Sequence, residues 1–448
     1  MLSALRERIA AAWAKLFPNP RFYGWAIVGL SFLACALSSP GQSFAISLYI
    51  EHLIDALDVT RLEVSSLYGA MTLMAAFCLP VVGRIADSIR GKTFLCVNLT
   101  LLAVAIAFFG GVQTLVMLAI AFFLLRLLGQ GSIGLGTLTV TVLWFRRLRG
   151  RALSVGQLGY AFGELVFPAM IVGLIAWVGW RESLWVIAAV YLVVFVPLYA
   201  LLIRRRRSDE PIDGDPGDPL GDGDDQDDSG DGLVPTPEGE HDAAREVSFE
   251  LREALKTPVF WGVLTSVAVL PLVITAVIFH QVALFDSVGW GSQYVPISFV
   301  FFALTSVACT YATGLIVERV PTRFAITVGM LCTVAAMVVA GWGGASIVGS
   351  LIYGTLLGAS AGILTAANSL IWPEYYGVES IGAIKGVVKA VRNGSTALGP
   401  PLVAWLIGPQ EIFMSAFWIL GAMSFAAALL ALAMKPPQKP ARELNVSP

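Results

Sequence analysis

An all-α membrane protein of twelve transmembrane helices in two pseudo-symmetric six-helix bundles is the fold class that the sequence predicts, on three observations. Of 448 residues, 57% are hydrophobic and only 13% charged, with a mean hydropathy of +0.77. Soluble domains carry about 25% charged residues, and a water-soluble chain of this size could not hide so much apolar surface. Apolar runs of about 18 residues or more, enough to cross about 30 Å of hydrocarbon, recur along nearly the whole chain. They fall as six, a hydrophilic break, and six more.

The runs cover residues 24–50, 64–83, 93–111, 114–142, 152–178 and 183–203, then 259–285, 294–317, 324–342, 346–370, 381–407 and 411–434. They set the expected domains: an N-tail over 1–20, an N-terminal bundle over 21–203, a linker over 204–257, a C-terminal bundle over 258–434 and a C-tail over 435–448. Residues 1–20 are amphipathic and basic and the first run is of spanning length, so a cleavable signal is not expected and span one stays as an anchor. From Ser208 to Ala244 the linker is rich in Asp, Gly and Pro, has no Lys or Arg, and holds nearly half of the chain's 31 acidic residues. Such a segment cannot bury enough apolar surface to fold and reads as disordered.

The remaining charge fixes an expected orientation, since cytoplasmic loops keep Lys and Arg. With both termini inside, the inner loops collect Arg6, Arg8, Lys15 and Arg21, then Arg84, Arg90 and Lys92, then Arg146, Arg147, Arg149 and Arg151, and further bases in the linker and C-tail. Only Arg61 and Arg181 fall outside. The expectation is a multi-pass protein of a bacterial-type inner membrane, monomeric, with both ends cytoplasmic. Cys35, Cys78, Cys96, Cys309 and Cys332 all lie in spans without Cys-x-x-Cys spacing and read as packing residues.

The halves repeat each other. After span two stands Gly83-x-x-x-Asp87-x-x-Arg90-Gly91-Lys92, and after span eight Gly314-x-x-x-Glu318-Arg319-x-x-x-Arg323. After span four, Trp144-Phe145 leads through Arg149-Gly150 into a Gly-rich helix with Pro168; after span ten, Trp372-Pro373-Glu374 leads through Gly377 into one with Pro400-Pro401. Duplicated bundles of this kind are a common architecture of secondary transporters.

The loops after spans two and eight resemble the signature loops of the major facilitator superfamily, and Arg126-Leu-Leu-Gly129-Gln-Gly131 resembles its helix-four pattern. Tyr23-Gly24-Trp25, the Ser39-Pro40-Gly41-Gln42-Ser43-Phe44 stretch, Thr257-Pro258-x-Phe260-Trp261 and Phe279-His280-Gln281 resemble its bacterial monocarboxylate and oxalate/formate branch. The resemblance covers about residues 21–434 and implies secondary transport by alternating access. It assigns Gly83, Asp87, Arg90, Gly314, Glu318 and Arg319 to gating at the cytoplasmic face. The chain departs from the branch in having no charge in span eight and in having Gln42 where animal monocarboxylate porters have a lysine.

Ionisable groups inside spans are costly unless they face protein or water, so they mark the site. Arg126 lies mid-span four, Glu164 mid-span five, His280 late in span seven, and Lys385, Lys389 and Arg392 follow one face of span eleven at i, i+4 and i+7. This cationic set implies a small anionic solute bound by Arg126, Lys389 and Arg392, with Gln42, Tyr68, Gln157, Tyr160 and Asn368 completing the site. Lys385 sits near the predicted cytoplasmic end and reads equally as a snorkelling lysine. Arg126 reads equally as a structural partner of Glu164. Glu164 and His280 are the candidates for proton coupling, His280 because imidazole titrates near neutrality. The glycines of spans four, five, ten and eleven read as helix-packing positions.

Several motifs fail on context. Gly129-x-Gly131-x-x-Gly134 lies inside a span and follows no strand, so it is no dinucleotide loop. The stretch from Asp225 starts like a calcium loop but has Thr236 at the twelfth position. No Walker loop, metal-ligand cluster or nucleophile with a base is visible, so the chain is expected to be no enzyme, to need no cofactor or metal, and to bind no nucleic acid, its partners being the solute and the lipid bilayer. Two rival readings stay open: a proton-coupled efflux carrier for drugs or metabolites, resting on Glu164, and a non-transporting sensor of the same fold.

Overall fold

The computed structural model describes residues 22–142, 144–145, 149–203, 249–317, 320–342, 346–377, 381–408 and 412–437. They form two compact units, one on either side of the 204–248 segment.

In the N-terminal unit, α1 runs over Phe22–Leu37 and then breaks into a 3-10 turn, Ser39–Gly41, and short helices Ser43–Ser47 and Ile50–Leu57. The expected span over 24–50 is thus a membrane-length segment, Tyr23–Ser47, that leaves α-helical geometry at Ser39–Gly41. Pro40 cannot donate a backbone hydrogen bond, and the hydroxyls of Ser38 and Ser39 donate to the carbonyls of Cys35 and Ala36, both at 2.6 Å, competing with the helical ladder. Next come α2 (Arg61–Ser88), opened by a Thr60/Glu63 capping box, and α3 (Gly91–Gly110). Helix α4 has three parts, Leu115–Leu125, a π-helical stretch Arg126–Ser132, and Ile133–Val142. The unit ends with α5 (Arg149–Val178) and α6, which is Trp180–Val190, π-helical Tyr191–Phe195 and Val196–Leu202.

In the C-terminal unit, the expected linker over 204–257 stops short. Phe249 is buried against Phe260 and Tyr376, its N–H donates to the Tyr376 carbonyl at 3.0 Å, and Leu251–Lys256 is a short helix with a capping box. An aromatic side chain this well buried ties the chain to the bundle. Then follow α7 (Pro258–Phe279), α8 (Val295–Val317), α9 (Thr322–Trp342), α10 (Ile347–Tyr376), α11 (Ile381–Ile407) and α12 (Phe413–Ala433). The expected span over 259–285 is also broken, at His280, and resumes as Gln281–Ser287. Among the described residues, eleven helices are long and apolar enough to cross a membrane. The 27-residue α11 is long enough but carries Lys385, Lys389 and Arg392.

Glycine sets the closest contacts. A Cβ on Gly159 of α5 would stand 1.9 Å from the Phe32 carbonyl of α1, and on Gly354, Gly358 and Gly362 of α10 it would stand 2.6, 2.3 and 2.2 Å from the carbonyls of Ser298, Phe302 and Ser306 on α8. Helices this close gain van der Waals contact that lipid tails cannot replace. Gly386, expected to be a packing position, has nothing within 4 Å. The outward faces carry large apolar side chains, among them Phe77, Trp177 and Trp342 at 75%, 77% and 76% exposure, as hydrocarbon demands.

Candidate functional site

The site is built where α4 leaves α-helical geometry. A π turn inserts residues into the ladder and marks functional sites more often than chance. The carbonyls it disturbs find side chains: Ser132 Oγ donates to Leu127 O at 2.7 Å and Asn98 Nδ2 of α3 to Leu128 O at 3.1 Å. At its start, Arg126 is turned toward the break in α1. Its Nε donates to Thr72 Oγ1 at 3.1 Å, and its Nη1 to the Gly41 carbonyl at 3.2 Å and more weakly to Ser43 Oγ at 3.5 Å. The guanidinium lies 5.1 Å from the centre of the Tyr68 ring, within cation–π range, and the Tyr68 and Ser43 hydroxyls share a 2.8 Å hydrogen bond. The approach is possible because Gly129 and Gly41 face each other; a Cβ on Gly129 would stand 2.7 Å from Gly41 Cα.

The α1 break is held from α6 as well. Tyr191 and Tyr199 donate to the carbonyls of Leu37 and Leu30 at 2.6 and 2.5 Å, and the Gln42 amide donates to Ser38 Oγ at 3.2 Å. A small cavity nearby, lined by Pro40, Tyr49, Ile106, Phe109 and Leu125, is apolar. It offers an anion nothing.

Arg126 is 2% exposed, and among the described residues it has no carboxylate partner and its Nη2 has no hydrogen-bond partner. A buried cation without a counter-charge is worth several kcal/mol of destabilisation, and an orphaned N–H adds about 1–3 kcal/mol. The arrangement is what an anion would complete.

The expected Arg126–Glu164 pair does not form, because Arg126 is committed to α1 and α2. Glu164, half-buried on α5, follows Gly163, where a Cβ would stand 2.3 Å from Ser39 Oγ in the α1 break. Of the other expected site residues in this unit, Tyr68 and Gln42 lie at the Arg126 cluster and the break. Gln157 is exposed on α5, and Tyr160, half-buried, points its hydroxyl at Gly134. Sequence reasoning missed Thr72, although it stands four residues after Tyr68 on the same face of α2.

In the C-terminal unit, Lys385 and Lys389 are exposed along α11, and Arg392 is half-buried with its Nε lacking a hydrogen-bond partner. Asn368 accepts from Trp372 Nε1 at 3.2 Å. His280 is at the α7 break, 3.0 Å from the Pro400 carbonyl of α11 through Nε2, which must carry the proton, and beside the Phe279 and Phe413 rings. That geometry makes it a clamp between α7 and α11. The next residue, Gln281, is buried with its Oε1 unpartnered, a second residue the site prediction left out.

The gating set is less informative. Among the described residues, a Cβ on Gly83 would have Leu135 at 4.0 Å and one on Gly314 would have nothing within 4 Å. Arg90 is exposed and N-caps α3, and Asp87 is in the last turn of α2 with its side chain outside the described residues. Glu318 and Arg319 also lie outside them.

No curated protein sequence gives a match to the chain. Among solved structures it is similar to a bacterial homologue of the human lysosomal transporter Spinster in its inward-facing, occupied conformation, with a TM-score of 0.66 and 14% identity over 92% of this chain and 94% of that one. It is similar also to the nucleoside transporter NupG, with a TM-score of 0.65 and 13% identity over 93% of this chain and 99% of that one. At these identities the likeness is one of fold, two six-helix bundles. The sequence profile of the Major Facilitator Superfamily matches residues 31–393, so the chain belongs to the Major Facilitator Superfamily and is a membrane transporter.

Proposed function

We propose that the protein carries a small organic anion, a mono- or dicarboxylate, by alternating access coupled to proton symport or anion exchange. The observation that carries this reading is Arg126, a guanidinium 2% exposed that, among the described residues, has an unpartnered Nη2 and no carboxylate beside it. A neutral or cationic cargo leaves that charge uncompensated; an anion neutralises it and supplies the missing acceptor. Lys389 and Arg392 belong to the same reading as further cations on α11, as do a monomeric state, an inner-membrane location with both ends cytoplasmic, and gating by the loops after α2 and α8.

The test is counterflow of labelled formate, acetate, lactate, pyruvate and oxalate into proteoliposomes, with labelled uridine as a neutral comparison. Wild type exchanges at least one acid. Arg126→Lys, which cannot serve Thr72, Gly41 and a ligand in one planar fork, lowers kcat/KM by about tenfold or more. The Lys389→Ala and Arg392→Ala pair lowers it too. Exchange of uridine but of no acid would overturn the reading.

A second reading, efflux of hydrophobic cations, is favoured by one feature, the intramembrane acid Glu164. It predicts that Glu164→Gln abolishes drug resistance while Arg126 variants do not.

A further inference from the structure

Helix α4 is anchored on both sides of its π-helical stretch. Before it, the Phe122 ring packs on Tyr68 of α2 and Phe109 of α3, with ring centres 5.4 and 5.9 Å apart. After it, Thr141 shares a 3.0 Å hydrogen bond with Ser31 of α1, and a Cβ on Gly136 would stand 2.7 Å from the side chains of Phe94 and Leu95 on α3. Between these anchors the chain holds more residues than an α-helical ladder takes up, and the surplus sits over Arg126–Ser132. Such a surplus can move along a helix, because each step only exchanges one i+5 bond for one i+4 bond. Donors from outside the ladder fix its place.

Two buried side chains act as those donors. Ser132 Oγ donates to the Leu127 carbonyl at 2.7 Å, and Asn98 Nδ2 of α3 to the Leu128 carbonyl at 3.1 Å. Asn98 is the more telling of the two. An amide buried in a membrane span is unfavourable without a specific partner, and a leucine of similar volume would fill the same space between α3 and α4. From α1 and α2 the turn is held by shape: a Cβ on Gly129 would stand 2.7 Å from Gly41 Cα, and one on Gly131 2.3 Å from Leu79 Cδ2.

The aim of Arg126 depends on where the surplus sits. Arg126 is the first residue of the π stretch, and from that register its Nε and Nη1 reach Thr72 Oγ1 and the Gly41 carbonyl. If the surplus moved by one residue to the other side of Arg126, the guanidinium would swing by about 100° around the α4 axis. It would then point away from α2 and the α1 break.

We propose that Asn98, assisted by Ser132, is a positioning residue of the anion site, an assignment that rests on the anion-carrier reading above. Asn98 pins the π turn of α4 from the side of α3 and so aims Arg126. It touches no solute itself.

The experiment compares wild type, Asn98→Leu and Ser132→Ala in proteoliposomes, by counterflow of labelled carboxylates and by amide hydrogen exchange across α4. Asn98→Leu is expected to raise KM about tenfold with kcat within about threefold of wild type. Amides over Arg126–Ser132 should exchange faster, and those of α12 should not change. Ser132→Ala moves the same quantities in the same direction, and carries the test if Asn98→Leu does not fold. With Arg126→Lys already in place, Asn98→Leu should change kcat/KM by less than about twofold, since a residue acting through Arg126 has nothing left to aim. An unchanged KM in folded Asn98→Leu would overturn the assignment, as would a further loss of about tenfold on top of Arg126→Lys. Absence of counterflow in wild type is a separate result that refutes the anion reading; the exchange measurement then decides by itself whether Asn98 pins the turn, and unchanged exchange over Arg126–Ser132 means that it does not.

Discussion

Tyrosines buried in the spans differ in what their hydroxyls do, and this separates their contributions to stability. Tyr191 and Tyr375 donate to the carbonyls of Leu37 and Met434 at 2.6 and 2.9 Å, whereas Tyr353 is fully buried among Phe285 and Trp290 and its hydroxyl has no hydrogen-bond partner among the described residues. A satisfied bond is worth about 1 kcal/mol net, and a buried unsatisfied hydroxyl costs about 1–3 kcal/mol. Tyr191→Phe and Tyr375→Phe are therefore expected to lower the Tm of detergent-purified protein and Tyr353→Phe to leave it unchanged or raise it; a clear fall for Tyr353→Phe would reveal a bound water serving that hydroxyl. At Arg126 the same reasoning applies with charge added. Arg126→Met keeps most of the volume, abolishes anion counterflow and leaves Thr72 Oγ1 and the Gly41 carbonyl without their donor. The location of Arg126 inside a span was legible in the sequence, because a charge in an apolar run needs no structure to be seen. Its partners were not, because Thr72, Gly41 and Ser43 come from other elements.

At the scale of elements, glycine spacing and helix breaks decide what touches what. Gly358→Ala puts a methyl 2.3 Å from the Phe302 carbonyl, so α8 and α10 must separate at a cost of about 1–3 kcal/mol. Gly386→Ala meets nothing within 4 Å and replaces a poor helix former by the best, a gain of up to about 1 kcal/mol. Thermal unfolding followed by tryptophan fluorescence should show the first substitution lowering Tm and the second holding or raising it; equal effects would mean that the α8–α10 contact is not limiting. Both glycines look alike in sequence, as members of Gly-rich spans. Helix content was legible from length and apolarity, but the breaks at Ser39–Gly41 and His280 and the π turn at Arg126–Ser132 were not. At Ser39–Gly41 the hydroxyls of Ser38 and Ser39 compete with the ladder, and at the π turn Ser132 and Asn98 serve carbonyls that the ladder gives up. An extra residue in a turn shifts the downstream face by about 100°, so a face drawn on an unbroken α4 does not carry over past Arg126.

For the whole molecule, the charge distribution gives a test of orientation independent of transport. Arg61 is paired with Glu51, and Arg181 donates to backbone carbonyls and stacks on Trp180, so both arginines expected outside are held locally, whereas most of the remaining bases belong to loops and tails expected on the opposite side. A fluorescent protein fused after Pro448 is expected to fluoresce, and alkaline phosphatase fused at Asp58 to be active; the reverse pattern would invert the topology and with it the assignment of the loops after α2 and α8 to a cytoplasmic gate. By itself the sequence determined the solvent, the number of spans, the two-unit division and the few ionisable groups the membrane must tolerate, since each follows from one-dimensional quantities: run length, polarity and the cost of charge in hydrocarbon. Only the tertiary structure decided that Arg126 meets Gly41, Thr72 and Tyr68 and not Glu164. Those outcomes depend on which helices meet and on where their ladders break, and close packing sets both through contacts between residues far apart in the chain.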